Sequence, residues 1–555
     1  MARVPPFEGL PETLARRLLV GGTGPGLAPA RDAALAAGPD WADLADALAL
    51  AVWEGAPFWS QAAGVVTARQ ADRPFLPPAL AGLAAAVAAA SRPTAPDPYF
   101  DRLAERRDLP RMLAYLLGRQ AKTPDDPGIL SKLAVFAPMA PAAMAEVETV
   151  FSSLSGQLAP LGRFAAAQLA LLDGRAGAAE ALFRDVLADF PAQAVRLGLA
   201  EARWRQGGRE PALAGLSGVL RARPWDALTL CRLHDLATDL AERREALPGS
   251  LAVAVYSFNS ASLLDQTLAA LAGTDWSQAP AAGQPRLFVL DNGSGDGTPA
   301  VLAAWREKLG QALAVVTLPV NVGAPAARNW LASLPEVAGR DFVAYLDDDA
   351  FVPADWLGRL GAAVAAYPGA GVWGCRIRGR DAPHFVQCAD SHLFPIARDA
   401  AFGRAFDLAS PWLVTPDWGQ YAVCRPCSSV TGCCHLFRTS VLRRVGDFDI
   451  RFSPTQYDDL DHDLRLLLAG DVPVCQGHLA VVHAKTTGSA GNPGGAQYGA
   501  GFANQFKLHH KYDDGELARA AATAFASLAR DAAGKAGVVA GLGLADRDGE
   551  AGHGR

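Results

Sequence analysis

Phe342-Val-Ala-Tyr-Leu-Asp-Asp-Asp349 decides how the C-terminal part of this chain folds. Its first five residues are a short apolar run of the kind buried in a parallel sheet. Three carboxylates follow without a break. Side by side they repel one another, and holding them at the edge of a core is costly. A divalent cation among them makes the cluster favourable, because hard cations such as Mg²⁺ prefer carboxylate oxygen. The end of a strand in an open α/β sheet is also where such folds hold their ligands. A solvated acidic turn is the bland alternative, and the neighbouring sequence argues against it.

On both sides of this run, short apolar segments alternate with helical ones. Strands are predicted at Leu251–Ser257, Leu287–Leu290, Leu313–Leu318 and Phe342–Leu346, and helices at Leu263–Ala272, Pro299–Leu309, Pro325–Leu334 and Ala354–Tyr367. That alternation calls for a largely parallel sheet covered on both faces. The first strand ends in Tyr256-Ser257-Phe258-Asn259, the second in Asp291-Asn-Gly-Ser-Gly-Asp-Gly-Thr298. Both polar clusters therefore meet the acidic triplet at one edge of the sheet. Gly293, Gly295 and Gly297 let the backbone come close to a ligand. Neither cluster is the GxGxxG dinucleotide fingerprint, and no GxxxxGK[ST] phosphate loop occurs.

The region before Pro248 is rich in Ala, Leu and Arg, poor in β-branched residues, and reads as helical throughout. Near its end, Gly174 to Pro191 lines up with Gly207 to Pro224. That spacing resembles the period of tetratricopeptide helix pairs, whose stacked concave surface commonly holds a protein or peptide. A scaffold that only braces the next domain fits equally. The expected organisation is residues 1–248 helical and tetratricopeptide-like, 249–512 α/β, and 513–555 a C-terminal helix with a flexible, Gly-rich tail from Ala532.

At 555 residues the chain is too long for one core, and 50% hydrophobic with 19% charged residues describes folded domains. A net charge of −6 argues against a general nucleic-acid binder. No apolar stretch reaches the roughly 18 residues that span a bilayer, and Ala79–Ala90 reads as a packed helix. Met1-Ala-Arg-Val-Pro-Pro-Phe lacks the order of a secretory signal, so a cytoplasmic location is expected. Six of the eight cysteines lie between Cys375 and Cys434. Cys424-Arg-Pro-Cys427 has the spacing of half a zinc site, which Cys433-Cys434-His435 would complete. No second CxxC is present, and small buried strand residues are the alternative.

Taken in order, these elements resemble glycosyltransferase family 2, the inverting nucleotide-sugar enzymes of GT-A fold. The resemblance runs from about Leu251 to His483. It rests on Asn259, Asp291–Thr298, Asn321-Val-Gly-Ala-Pro-Ala-Ala-Arg328-Asn329, Leu346–Asp349, Thr431-Gly432, Val445–Asp449 and Tyr457-Asp-Asp-Leu-Asp461. It implies an α/β GT-A, Rossmann-like nucleotide-diphospho-sugar transferase domain after an all-α tetratricopeptide-like one. It also implies a nucleoside-diphosphate sugar as donor, a UDP-sugar first, and a glycan, lipid-linked or protein acceptor, with a protein partner on the helical repeats. Ser257, Asn259, Asp291, Asn321, Arg328, Asp347 and Asp348 would bind the donor, Arg328 either directly or by bracing its loop. Asp349 and His483 would hold Mn²⁺ or Mg²⁺. Asp459 would be the general base, with Asp458 in place of the family's usual Glu. Lys485–Tyr498 would form a lid, and Trp412, Trp418 and Tyr421 would line an acceptor groove or pack in the core.

Two other classes stay open at this level. A nucleotidyltransferase acting on a sugar phosphate also gathers carboxylates and a metal at a sheet edge. It would normally carry a basic Gly-rich loop after its first strand, which Tyr256-Ser-Phe-Asn-Ser260 lacks. A non-catalytic scaffold with a remnant transferase domain is the other, and the retained Asp291, Asp349 and Asp459 speak against it.

Overall fold

The computed structural model of the chain describes residues 7–544 apart from 8, 92–95, 279–285, 400–402, 412–414 and 485–494. It divides into two units: Met1–Ala237 with Pro416–Gln420 and Ala532–Arg555, and Thr238–Thr415 with Tyr421–Asp531.

The first unit is all-α. Helices Ala159–Leu172, Ala176–Val186, Gln193–Arg205, Arg209–Ala222 and Ala227–Ala237 each pack against the next. The two aligned segments share their backbone as well as their sequence. Gly174 and Gly207 close the helices Ala159–Leu172 and Gln193–Arg205 at φ of 78° and 80°, a region that glycine enters without the steric cost other residues meet. The core is dense in aromatic rings, with Trp53 edge-on to Phe190 at 5.8 Å and Phe58 stacked on Phe151 at 5.6 Å. Pro78–Ala90 is a helix that buries Leu80, Leu83, Ala84 and Val87. Among the described residues, no helix is long and apolar enough to cross a membrane. The helix after Tyr512 runs over Asp514–Gly541, further than the expected start of the tail at Ala532. Alanine and valine there outweigh the glycines in helix propensity.

The second unit is built on strands β1 (Leu251–Ser257), β2 (Arg286–Asp291), β3 (Leu313–Thr317), β4 (Phe342–Asp347), β5 (Ala350–Phe351), β6 (Val372–Gly379), β7 (Phe385–Cys388), β8 (His392–Pro395), β9 (Phe406–Ala409), β10 (Thr415–Pro416), β11 (Cys424–Pro426), β12 (Cys434–Arg438) and β13 (Pro473–His483). The main sheet runs β7-β6-β12-β4-β1-β2-β3. Strands β4, β1, β2 and β3 are parallel, and β12 is antiparallel to both β4 and β6. Strand β13 joins β6 in parallel, and β8 pairs with β9 as a separate hairpin.

Side chains alternate between two apolar layers, as strand geometry requires. On one face Val253, Val255, Phe342, Ala344 and Leu346 meet Leu264, Leu268, Leu302, Trp356 and Leu360. On the other, Ala252, Ala254, Val343 and Tyr345 meet Ala327 and Leu331. This is the expected α/β class, with an all-α domain before it.

In the helical unit, a Cβ on Gly198 would stand 2.4 Å from the Phe183 ring. Gly198→Ala should therefore destabilise the protein by about 1–3 kcal/mol through overpacking, although alanine is the better helix former. Denaturant unfolding of the full chain reads this, and an unchanged or higher stability would show that the crossing has room to spare.

Candidate active site

The parallel strands stop level with one another. Ser257 lies opposite Asp291, and Tyr256 opposite Asp347. Three strand ends therefore deliver Ser257, Asn259, Asp291 and Asp347–Asp349 to one edge, and the end of β13 adds His483, paired with Ala350.

Asp347, Asp349 and His483 come together. His483 Nε2 lies 3.1 Å from an Asp349 oxygen and 3.8 Å from an Asp347 oxygen. Asp349 is buried, while the Asp347 side chain keeps 26% of its surface. Gln387 of β7 faces Nδ1 of His483, its amide nitrogen at 3.0 Å and oxygen at 3.3 Å. With Nδ1 thus occupied, Nε2 is the nitrogen turned to the carboxylates. Two carboxylates and an oriented imidazole suit a divalent ion such as Mn²⁺ or Mg²⁺. Burial pushes the Asp347 carboxyl up, and Asp349 adds to the push against Arg328 and His483. A bound cation would relieve that repulsion.

Arg328, on the helix Ala324–Ser333, is 3% exposed and faces protein on every side recorded. Its guanidinium pairs with Asp458 and donates to the Tyr256 hydroxyl at 2.9 Å and the Gly432 carbonyl at 3.3 Å. Tyr256 in turn donates to Asp347 at 2.5 Å. Burial works against the Arg328 charge, but Asp458, Tyr256, Asp347 and Asp459 more than offset it and raise its pKa. The Asp458 carboxyl is pushed up to about 6, chiefly by burial, with Arg328 pulling against it and Asp459 and Asp347 adding to the rise.

Asp459 stands in the first turn of the helix Asp458–Leu468, partly open to solvent. One oxygen accepts from the Gly432 N–H at 2.8 Å and the other from the Leu460 N–H at 2.8 Å. The two residues before the helix, Gln456 and Tyr457, hold φ of 75° and 70°, a region that disfavours non-glycine residues and gathers at functional sites. The other acids of this helix are committed to the fold. Asp461 takes Tyr512, Lys511 and Arg465, and Asp463 takes the Ser429 hydroxyl and the Val430 N–H.

On the β1–β2 side, Asp291 is buried and accepts from the Ser294 N–H at 2.9 Å. Gly293 carries this turn at φ 78°, where a Cβ would stand 2.6 Å from the Val320 backbone. Asn259 is exposed and accepts from the Gly295 N–H at 2.8 Å. Asn321 is exposed too, and accepts from Asn292 and from the Gly323 N–H. Ser257 and Asp348 are instead buried and joined to each other at 2.6 Å.

Cys424 and Cys427 fall in different apolar layers, and Cys427 Sγ donates to the Ser429 and Pro473 carbonyls. Among the described residues, one group of three side chains has metal-ligand spacing: Asp347, Cys433 and His483, with donor atoms within 4.8 Å of one another. Trp418 packs on the helical core, Tyr421 on the sheet, and Trp412 lies outside the described residues, as do 485–494 of the expected lid Lys485–Tyr498, whose last four residues begin the helix Gly495–Lys511.

Residues 252–446 match the family described as Glycosyl transferase family 2. This part of the chain is a glycosyl transferase family 2 domain. No curated protein matches the chain. Among solved structures it is similar to GalNAc-T7 with UDP, GalNAc and Mn²⁺ (14% identity, TM-score 0.34, 44% of this chain and 45% of that one). It is also similar to Staphylococcus aureus TarS (19%, TM-score 0.30, 42% and 37%) and to the mannosyltransferase PcManGT of Pyrobaculum calidifontis with GDP-Man and Mn²⁺ (19%, TM-score 0.33, 60% and 91%). The chain thus spans less than half the length of the first two.

On the helix Asp458–Leu468, His462 is enclosed by Phe437 and Phe448, with ring centroids at 5.1 and 4.7 Å. Burial pushes its imidazole down to about 3, and pushes His435 beside it well below the usual range. Both are neutral in the fold, whereas an unfolded imidazole takes a proton near pH 6.5. Stability from this source is complete above about pH 6.5 and falls as pH drops toward about 3. The expected slope is up to about 1.4 kcal/mol per pH unit for each buried histidine. His462→Phe should show a shallower fall than wild type in urea unfolding between about pH 7 and 4; equal slopes would mean His462 is protonated in the fold.

Proposed function

We propose that this chain is a metal-dependent, inverting glycosyltransferase that moves a sugar from a nucleoside-diphosphate donor, a UDP-sugar first, to an acceptor hydroxyl. The observation that carries the reading is the pairing, beside the family 2 match at 252–446, of a carboxylate–imidazole cluster with a separate carboxylate. Asp347, Asp349 and His483 meet at the sheet edge, while Asp459 is fixed by the Gly432 N–H and still reaches solvent.

Asp291, Asn259 and Asn321 form the donor side, with the buried Ser257–Asp348 pair as its floor. Asp291 has an oxygen beyond the one that accepts from Ser294 and can take a hydrogen bond from the base. Arg328 braces the site, since Nη1 and Nη2 of its guanidinium are engaged by Asp458, Tyr256 and Gly432. Asp347, Asp349 and His483 would hold Mn²⁺ or Mg²⁺. Bound there, the ion supplies Lewis-acid stabilisation of the charge that gathers on the departing diphosphate. Asp459 removes the proton of the acceptor hydroxyl as its oxygen attacks the anomeric carbon from the face opposite the leaving group. Inversion follows from that single displacement.

The acceptor is a glycan, a lipid-linked sugar or a protein, and presentation of a protein by the tetratricopeptide-like helices is part of this proposal. So are the boundaries 1–248, 249–512 and 513–555, and a cytoplasmic site of action.

Purified full-length protein incubated with a panel of nucleotide sugars should release nucleoside diphosphate only with Mn²⁺ or Mg²⁺ present. Asp459→Asn should lower turnover by about 10²–10⁴-fold while donor binding, followed by calorimetry, stays intact. Release of pyrophosphate would point to a nucleotidyltransferase, and no release with any donor would favour a remnant domain. A product of retained anomeric configuration would remove the inverting mechanism.

A further inference from the structure

Cys433 carries the one metal-ligand spacing that the reading above leaves unused. Antiparallel pairing of β12 with β4 sets Cys434 opposite Leu346, and the Asp347 N–H donates to the Cys433 carbonyl at 3.0 Å. Cys433 is 4% exposed, and its sulfur lies within 4.8 Å of donor atoms of both Asp347 and His483. Ligands on opposite sides of one ion at 2.0–2.3 Å stand about 4.6 Å apart at most, so small side-chain shifts bring all three onto one ion. Cys375, Cys388, Cys424 and Cys434 share its apolar layer, where a cysteine is ordinarily a small hydrophobe. Cys433 differs from them in facing a carboxylate and an imidazole together.

We propose that Cys433 Sγ is a donor at the cation site, beside Asp347, Asp349 and His483, and biases it toward borderline-soft divalent ions over Mg²⁺. This rests on the cation site proposed above. Thiolate is a soft ligand that favours ions such as Zn²⁺, Co²⁺ and Cd²⁺, whereas Mg²⁺ takes oxygen. The sulfur–metal bond forms as the thiol gives its proton to solvent. The effect is on selectivity: a carboxylate–imidazole site binds hard and borderline ions alike, and one sulfur tilts it.

The experiment titrates Co²⁺ into metal-free, full-length protein under reducing conditions, reading visible d–d bands for site occupancy and the near-ultraviolet sulfur-to-cobalt charge-transfer band for thiolate ligation. Wild type should show both. Cys433→Ala should keep the visible bands and lose the charge-transfer band, with Cd²⁺ affinity falling by on the order of 10–100-fold, the size found for residues that tune metal sites, and Mg²⁺ affinity unchanged. Should Cys433→Ala fail to fold, His483→Gln tests the same point with the thiol in place, since it should shift or remove the charge-transfer band. Visible bands without charge transfer in wild type would overturn Cys433 ligation and leave the cation site standing. A charge-transfer band that survives Cys433→Ala would assign the sulfur elsewhere and overturn it equally. No Co²⁺ binding at all would overturn both the site and the ligand.

Discussion

The buried ion pair between Arg328 and Asp458 is the interaction on which the rest of the site depends. Taking two charges out of water costs several kcal/mol for each ion, and only close pairing with further hydrogen bonds recovers it. Arg328 meets that condition through Asp458, the Tyr256 hydroxyl and the Gly432 carbonyl together. Its role is to fix one arrangement more than to add net stability. Four segments distant in sequence, the end of β1, the helix Ala324–Ser333, the Gly432 turn and the start of the helix Asp458–Leu468, can satisfy that guanidinium only in a single relative placement. Tyr256 then passes the constraint on by donating to Asp347, so the cation cluster and the proposed base answer to the same positive charge.

Separation of charge gives similar side chains different work. Asp347 and Asp349 both stand beside the His483 imidazole, an arrangement that favours a cation. Asp459 faces the Gly432 and Leu460 N–H groups and is partly open to solvent. The two environments are joined through two adjacent residues. Gly432 offers its N–H to Asp459, and the next residue, Cys433, offers its carbonyl to the Asp347 N–H. The spacing between the two carboxylate environments is therefore held by adjacent backbone residues.

Much of this was legible in the chain, and for identifiable reasons. The strands ending at Ser257, Asp291 and Asp347 announce themselves by apolar runs that stop at polar residues, and their shared edge follows from parallel pairing. Asp349, His483 and Asp459 carry chemistry that a core seldom tolerates without a purpose. Gln387 could not be found that way: an amide in a stretch without a motif gives no sign of a contact with a histidine 96 residues away. Cys433 was visible only as half of a supposed zinc pair. The CxxC at Cys424–Cys427 left two readings open, and in the fold its two cysteines fall in different apolar layers, as residues three apart on an extended segment point to opposite faces. Arg328 was readable as a charge but not as a buried one, since its partner lies 130 residues on.

The precision of the edge comes in the end from the core. In β12, Cys434 and Leu436 belong to one apolar layer and Phe437 to the other, just as Leu346 and Tyr345 do in β4. A slip of one residue between these strands would drive Phe437 into the layer that holds Leu436 and turn every side chain over. The close packing around Trp373, Tyr345 and Phe437, with rings of the last two 6.1 Å apart, leaves no space for that exchange. The register that keeps Leu436 and Phe437 in their proper layers is the same one that sets Cys433 against Asp347. Apolar patterning far below the edge thus decides which polar atoms can share a cation above it.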